Sequence, residues 1–336
     1  MNKYIFDLNK IQEGDILLLN SDPRLSAIMK DKTGSVYHHA MLYTGGSSHI
    51  HSNKGPGVQA ENTRRMLFNN IEDAIALRLR NPKDDYLIRQ IIDRARTKIG
   101  TEYSGEEAKR TVQGHSESDF DPNRQFCTRF VAQAYAEGGV DIVKDPNYCT
   151  PFDLTNSEAL LVIDDVLKVA SLAEVSYANE ENTVLDKQIQ INNHILSNVR
   201  KISQEDIQTI NQITEYVIAN PLHDEEITAL IEQSGYLDLW KIDIEKNPKN
   251  YNFEIFIKEV EEKKWLSASL KLADTAKRSL QRYETNLHFY TQQYKIHNLA
   301  YIKMHIKLYE KLVEITNQMM DVAKKLEVAA KLNRNQ

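Results

Sequence analysis

The chain has 336 residues, of which 41% are hydrophobic and 27% charged, a composition typical of a soluble globular protein with one large domain or two ordinary ones. No run of about 18 apolar residues occurs, which excludes a membrane-spanning helix. Acidic residues near the N-terminus occupy the place where a secretory signal would have its apolar core. We therefore expect a cytoplasmic protein, while export by another route would leave no such trace in the sequence.

The net charge of −6 is unevenly distributed along the chain. From Lys241 onward there are 18 basic and 12 acidic residues, so the remainder is strongly acidic. The simpler interpretation is a solvated basic helical face, because acidic residues are interspersed with the basic ones. The alternative is attraction to an anionic membrane or a partner protein. Nucleic-acid binding is not expected, since the overall charge is negative and no concentrated basic and aromatic patch occurs.

The first part of the chain predicts short strands separated by turns. Each strand candidate is an apolar or alternating run bounded by turn residues. The predicted strands cover 15–20, 39–45, 49–52, 57–61 and 73–80. A helix is then predicted over 86–99 by apolar residues at helical spacing, and it ends at Gly100.

A second helix is predicted to begin near Cys127, with Asp121 or Asn123 as its cap, and to end at Gly138. The polar stretch 177–183 predicts a boundary between a domain over residues 1–176 and a second domain over residues 177–336. Beyond that boundary glycine and proline become rare, which favours long helices.

Two heptad patterns in the C-terminal part predict a helical hairpin that turns near His297. The first seam consists of Ala273, Ala276, Leu280, Tyr283, Leu287, Tyr290 and Tyr294. The second consists of Leu308, Leu312, Ile315, Met319, Val322, Leu326 and Ala329. Folded back as a hairpin, each seam can bury the other.

The chain has two cysteines, Cys127 and Cys149, which are too few for a disulfide framework and suit a reducing compartment. A cysteine on the first turn of a helix meets unpaired N–H groups and the positive end of the helix dipole. Both lower a thiol pKa below its free value of about 8.5. Cys127 is therefore a candidate nucleophile, and the alternative is a buried, inert cysteine.

Four histidines lie between positions 38 and 51. His38 and His39 point to opposite faces of a strand, whereas His49 and His51 share one face. If the two strands form a hairpin, a histidine of the first can stand beside one of the second, giving a base and an orienting group for the thiol. Zinc held by His49, His51 and either His38 or His39 is an alternative, and so are histidines that only fill the sheet.

These segments together resemble the permuted papain-fold hydrolases of the NlpC superfamily, in particular its YiiX-like and lecithin–retinol acyltransferase-like groups. The resemblance rests on "EGDILLL", "YHHAMLYTGG", "HIHS" and "FCTRFVAQAY", and it covers about residues 10–160. In these families the histidine precedes the cysteine, the reverse of the papain order. It implies an α+β fold in which a small antiparallel sheet packs on helices. We expect an all-α C-terminal domain with a long helical hairpin to follow.

The resemblance also implies roles for individual residues. Cys127 matches the family's nucleophile, His39 its base, and His51 the second histidine that orients or polarises the first. Tyr37 and Phe126 are candidates for oxyanion or substrate binding. No metal ion or other cofactor is expected.

Two further positions refine the resemblance. Asp15 matches the Gly-Asp signature and is interpreted as structural, capping the turn before the first strand. The segment from Phe126 to Arg129 reads Phe-Cys-Thr-Arg where the acyltransferase group has Asn-Cys-Glu-His. This difference puts transfer to a lipid acceptor in doubt.

The predicted function is therefore that of a thiol hydrolase or acyltransferase. It would cleave an amide, ester or thioester bond of a small-molecule, peptide or lipid substrate through an acyl-enzyme. The alternative is a catalytically silent binding module whose helical half engages a partner protein or an anionic membrane. The oligomeric state stays open.

Overall fold

The computed structural model describes residues 2–82, 85–114, 120–180 and 184–334. The chain divides into two compact units, one comprising Met1–Leu196 with Glu205–Ile210 and the other Ser197–Gln204 with Asn211–Gln336. The predicted domain boundary after residue 176 stays a prediction, and residues 181–183 of the polar stretch lie outside the described residues.

The first unit is built around ten strands. In chain order they are β1 (Tyr4–Phe6), β2 (Ile16–Leu19), β3 (His39–Gly45), β4 (Ser48–Asn53), β5 (Gly57–Asn62), β6 (Ala74–Leu79), β7 (Glu102–Tyr103), β8 (Arg124–Gln125), β9 (Leu160–Ile163) and β10 (Leu167–Val169). Six of them form one antiparallel sheet in the order β5-β4-β3-β2-β6-β9. β1 pairs with β10 antiparallel, and β7 pairs with β8 parallel.

The central strands of this sheet are apolar on both faces because both faces are covered. Ala40 and Leu42 of β3 pack into one hydrophobic core, whereas Met41 and Tyr43 pack into another. This alternation is the ordinary two-residue period of a strand. It explains why a continuous apolar run, such as β2, lies at the centre of the sheet.

The helices of the first unit cover the sheet. They are α1 (Pro23–Thr33), α2 (Asp85–Thr97), α3 (Gly105–Val112), α4 (Cys127–Glu137), α5 (Pro151–Thr155) and α6 (Leu172–Ala178), and α7 (Val184–Ser203) continues into the second unit. α4 is almost wholly buried and packs against β3, β4 and α2. The predicted cap of α4 was wrong. Its N-cap is Phe126, in extended conformation and without a side-chain bond, because Asp121 instead accepts from the backbone of Asn123.

The second unit is entirely helical among its described residues. Its further helices are α8 (Ile210–Ala219), α9 (Asp224–Gln233), α10 (Leu239–Lys246), α11 (Phe253–Glu259), α12 (Trp265–His297) and α13 (Ala300–Arg334). α12 and α13 form the predicted hairpin, with Asn298 in the left-handed conformation at the turn (φ 51°). Asp224 caps α13 by accepting from the N–H groups of Ala300 and Tyr301 at 2.7 and 2.8 Å.

Both predicted seams contribute to the interior of this hairpin. Ala276 and Tyr290 of the first seam are buried, as are Leu308, Val322 and Leu326 of the second. None of the described helices combines the length and the apolar character required to cross a bilayer. The predicted fold class is therefore confirmed: an α+β region with an antiparallel sheet, followed by a long helical region.

Candidate active site

The β3–β4 hairpin brings two of the predicted site residues into contact. Met41 lies directly opposite His51, and His39 lies two residues before Met41, on the same face. Nε2 of His39 and Nδ1 of His51 are 2.8 Å apart, a hydrogen-bonding distance. The turn that makes this possible places Gly45, Gly46 and Ser47 at positive φ. Gly45 has a φ of +81°, a left-handed conformation that strains any residue with a Cβ, so this position favours glycine.

A carboxylate on the next strand extends this pair. Glu61 of β5 pairs directly with His49, and its Oε1 lies 3.1 Å from Nε2 of His51. The oxygen is out of line with the ring N–H, so the contact is an ion pair when His51 is protonated rather than a formed hydrogen bond. His51 nevertheless holds the pKa of the Glu61 carboxyl below its usual range. The sequence analysis missed Glu61, although the alternation of 57–62 would have placed it on the histidine face.

The contacts of the chain Glu61–His51–His39 favour one set of tautomers. A proton on Nε2 of His51 faces the carboxylate, which leaves Nδ1 of His51 as an acceptor. His39 then donates from its Nε2, so that its Nδ1 carries a free lone pair. Burial, and then the neighbouring imidazoles of His51, His38 and His49, hold the pKa of His39 well below its ordinary value. A neutral His39 is a competent proton acceptor.

The thiol of Cys127 lies at the start of α4, against β3. Its sulfur accepts from the backbone N–H of Ala40, which directly follows His39, and from the N–H groups of Thr128 and of Cys127 itself. Burial outweighs these three donors and raises the pKa of the Cys127 thiol, so the predicted lowering was wrong. No hydrogen bond joins this sulfur to His39 within the described part of the chain. The reactive thiol–imidazole pair stays a prediction.

The two weaker candidates occupy different environments. Tyr37 is half-buried against the core beside α4, and burial followed by the charge of Asp164 raises its pKa. Phe126 is buried with the Arg129 guanidinium 4.5 Å from its ring centre. Arg129 is itself fully buried and pairs with Glu107 at 2.8 Å. The contacts of Phe126 are those of a packing residue, and a role for either side chain in oxyanion or substrate binding stays a prediction.

The remaining polar residues near the hairpin have structural contacts. Asp15 is buried, accepts from the backbone of Gln12 and binds Arg78 at 2.7 Å, as its interpretation as a turn cap predicts. Nε2 of His38 accepts from the backbone of Asp22, the N-cap of α1. His49 is fully buried, with its Nδ1 3.0 Å from Oγ1 of Thr63. Burial, followed by the charge of His51, lowers the pKa of His49 to about 3.

Metal-binding donors also occur on this face. His49, His51 and Glu61 offer one ligand atom each, and all three atoms lie within 4.8 Å of one another.

A separate cavity of about 340 Å³ is lined by residues that do not include Cys127, His39 or His51. Two of its lining residues, Tyr148 and Thr150, flank Cys149, whose carbonyl accepts from the hydroxyl of Thr128.

Comparisons with known proteins identify the family of this chain. Residues 10–189 match the model of the family described as "Permuted papain-like amidase enzyme, YaeF/YiiX, C92 family". A solved structure entitled as that of the metalloprotein YiiX from Escherichia coli O157:H7 is similar at 13% identity over 46% of this chain and 97% of that chain, with a TM-score of 0.36. No curated protein matches the chain. The family match covers more than half of the sequence, so this chain belongs to the permuted papain-like amidases, a family of papain-like hydrolases.

Proposed function

We propose that the first unit is a thiol hydrolase that cleaves an amide or ester bond, with Cys127 as nucleophile, His39 as base and His51 as positioning residue. The observation that carries the proposal is the placement of the thiol. Its sulfur contacts the N–H of Ala40, one residue from an imidazole whose other nitrogen is held by a second imidazole. Nucleophile, base and orienting group in this order are the parts of an activated thiol.

In the proposed reaction, Nδ1 of His39 takes the thiol proton as the sulfur–carbon bond forms. The raised thiol pKa and the lowered imidazole pKa both favour a neutral pair before attack, so proton transfer accompanies attack. In this proposal the backbone N–H of Cys127, at the start of α4, donates to the oxyanion. His39 then gives its proton to the leaving amine or alcohol as the carbon–nitrogen or carbon–oxygen bond breaks.

The second half of the reaction releases the acyl group. His39 takes a proton from water, whose oxygen attacks the thioester carbon, and the carbon–sulfur bond breaks. The proton on His39 returns to the sulfur and restores the free thiol. An alcohol or amine in place of water would make the same site an acyltransferase. The proposal requires the Cys127–His39 pair to close when the substrate binds, as hydrogen bonds of catalytic groups commonly do.

The proposal is tested by comparing the two cysteines with iodoacetamide near neutral pH. Cys127 is half-buried and Cys149 buried, so Cys127 is expected to label faster for reasons of exposure alone. The decisive variant is therefore His39→Ala, which should slow labelling of Cys127 at least about tenfold by removing the base. His38→Ala is the matched control, because Nε2 of His38 is held by the backbone N–H of Asp22. Equal labelling of the two thiols, or no effect of His39→Ala, overturns the proposal.

A second candidate function concerns the helical unit and is supported by a row of lysines on α13. Lys303, Lys307 and Lys311 recur every four residues and line one cavity of about 390 Å³ together with Trp240. Glu232 and Asp238 also line this cavity and reduce its positive charge. We propose that this surface binds an anionic membrane, since clustered lysines beside the half-buried Trp240 suit anionic headgroups.

Sedimentation with vesicles that contain phosphatidylserine tests this second candidate. Binding should fall as salt is raised and should be lost when all three lysines are changed to Gln. Changing Lys324 and Lys325 of the same helix to Gln is the control, because both are exposed but do not line the cavity. Absence of binding, or equal effects of the two sets of changes, overturns the candidate.

A further inference from the structure

We propose that His49, His51 and Glu61 form a binding site for a divalent transition metal ion of the Zn²⁺ class. The sheet register brings the three together. His49 and Glu61 are direct cross-strand partners on β4 and β5, and His51 follows two residues after His49 on the same face. Two imidazoles and one carboxylate are a ligand set typical of zinc and of other borderline divalent ions.

Nε2 of His49 has no partner in the described structure, and Nε2 of His51 has only the out-of-line contact with the Glu61 carboxylate. Nε2 of His49 and Nε2 of His51 are both buried and lack a hydrogen-bond partner, and the two residues are 0% and 4% exposed. A buried polar atom without a hydrogen-bond partner destabilises the folded state. One metal ion can accept the lone pairs of both ring nitrogens at once. One hydrogen-bond donor can satisfy only one of them.

The opposite nitrogen of each ring is already held, as metal-binding histidines require. Nδ1 of His49 lies 3.0 Å from Oγ1 of the buried Thr63, and Nδ1 of His51 lies 2.8 Å from Nε2 of His39. A ligating imidazole donates its other N–H to such a partner, which fixes the tautomer and the ring orientation. Thr63 and His39 are therefore placed as the outer supports of the site.

The size of the site and its access fit an ion that arrives from solvent. Ligands of a tetrahedral zinc ion lie about 3.3 Å apart, since each bond is about 2.0–2.1 Å long. One ligand atom of each of the three residues lies within 4.8 Å of the other two, so small side-chain rotations would bring the donors to this spacing. The Glu61 side chain is 41% exposed, so the ion can enter on that side and keep a water molecule as its fourth ligand.

Metal binding would change the tautomers of the neighbouring pair. An ion on Nε2 of His51 moves the proton of that ring to Nδ1, which then donates to Nε2 of His39. The proton of a neutral His39 must then sit on Nδ1, the nitrogen that would otherwise accept the thiol proton. The bound ion should therefore inhibit acylation of Cys127, and this consequence rests on the proposed hydrolase function.

Binding is tested on the full chain without reference to activity. The protein is stripped with a chelator, loaded with Co²⁺ or Zn²⁺ and dialysed, and its metal content and Co²⁺ absorption spectrum are measured. One equivalent is expected, with binding weakened at least about tenfold in His49→Gln and unchanged in His38→Gln. Glu61→Gln alters a partly exposed side chain and supplies a second variant if His49→Gln does not fold. Substoichiometric binding, or wild-type binding by both site variants, overturns the proposal.

The inhibition is tested separately, so that the two proposals can fail independently. Acylation of Cys127 by p-nitrophenyl acetate is followed by mass spectrometry in metal-free and Zn²⁺-loaded protein. Loaded protein should react at least about tenfold more slowly, and His49→Gln should lose this difference because its affinity for the ion is reduced. Inhibition that persists in His49→Gln would show Zn²⁺ on the thiol itself and overturn the coupling. One equivalent of bound metal without acylation in either state overturns the hydrolase function and leaves the metal site intact.

Discussion

The sheet of the first unit and the helical hairpin of the second each bury histidines with an unpartnered ring nitrogen. In the hairpin this residue is His305, whose Nδ1 is 2.9 Å from the carbonyl oxygen of Tyr301 and whose Nε2 has no partner among the described residues. Its ring contacts are with tyrosines, and Tyr290 stacks on it at 4.7 Å between ring centres. On the sheet, the contacts are a second imidazole and a carboxylate.

The difference shows what burial does and what it does not do. Burial lowers the pKa of His305 to about 4, and burial followed by the charge of His51 lowers that of His49 to about 3, so a shifted pKa does not distinguish the two regions. The two regions differ in the chemical groups that surround the histidine. The thiol of Cys127 lies beside the N–H of Ala40, the residue after His39, and Nε2 of His39 is held by His51. The described contacts of His305 are with tyrosine rings and a backbone carbonyl. Nucleophilic catalysis requires a thiol or similar nucleophile beside the imidazole, and the described ring contacts of His305 are with tyrosines alone.

The largest expected effect is on the reaction itself. His39→Ala should slow acylation of Cys127 by about 10²–10⁴-fold, the usual contribution of a general base. His305→Phe should leave the rate within about twofold, because aromatic packing is retained and no reacting group is near. Stopped-flow release of p-nitrophenol, with mass spectrometry of Cys127, measures both rates. Similar losses in the two variants would mean that the two histidine environments do not differ in function.

The second effect concerns the pH dependence of stability in the hairpin. The folded pKa of His305 is about 4, below the ordinary value of 6.5. Between these two pH values the imidazole is protonated in the unfolded chain and neutral in the folded chain. The free energy of unfolding should therefore fall as the pH drops from about 6.5 to about 4, by up to about 3 kcal/mol, and level off below that. His305→Phe should remove this slope.

Tryptophan fluorescence isolates this unit. The only two tryptophans of the chain, Trp240 and Trp265, both lie in the second unit. Urea unfolding at several pH values, followed by this signal, gives the slope for the wild type and for His305→Phe. An unchanged slope in the variant would show that His305 accepts a proton in the folded state, contrary to its burial.

Local patterns predicted the elements that are specified by neighbouring residues. The alternation of 39–45 and its glycine pair gave β3 the bounds observed, and the heptad seams predicted the α12–α13 hairpin. The proximity of His39 and His51 also followed from the hairpin. Pairings between distant segments were not predicted. β1 pairs with β10 about 160 positions later, and no local pattern encodes that register.

The environment of the candidate site was harder to predict than its residues. The helix start at Cys127 suggested a lowered thiol pKa, but the packing of α4 on β3 buries the sulfur and reverses the direction. The contact of Glu61 with His51 likewise depends on how β5 docks on β4. Both are tertiary effects, since they are set by which elements pack together rather than by the residues beside them in sequence.

A smaller expected effect concerns the buried hydroxyl of Thr214, for which we predict a purely structural role in the second unit. The hydroxyl of Thr214 lies 3.1 and 3.0 Å from those of Tyr290 and Tyr301, the rings around His305. Thr214→Val keeps the shape and leaves two buried hydroxyls short of a partner, which should cost about 1–3 kcal/mol. Thr285→Val, at an exposed site on α12, should change stability by less than about 0.5 kcal/mol. Urea unfolding measures both, and a Thr214→Val cost as small as that of the control would contradict this role.

The smallest expected effect concerns the carboxylate that sets the sheet histidines apart from His305. Glu61 is 41% exposed on its side chain, and an ion pair this accessible contributes up to about 1 kcal/mol. Glu61→Gln should therefore slow metal-free acylation of Cys127 by up to about fivefold, and Glu61→Asp should restore part of the rate. Glu137→Gln is the control, because Glu137 pairs with Lys98 and is 44% exposed, but away from the histidines. A loss as large as that of His39→Ala would place Glu61 on the reacting atoms, and no loss would leave His51 positioned by His39 alone.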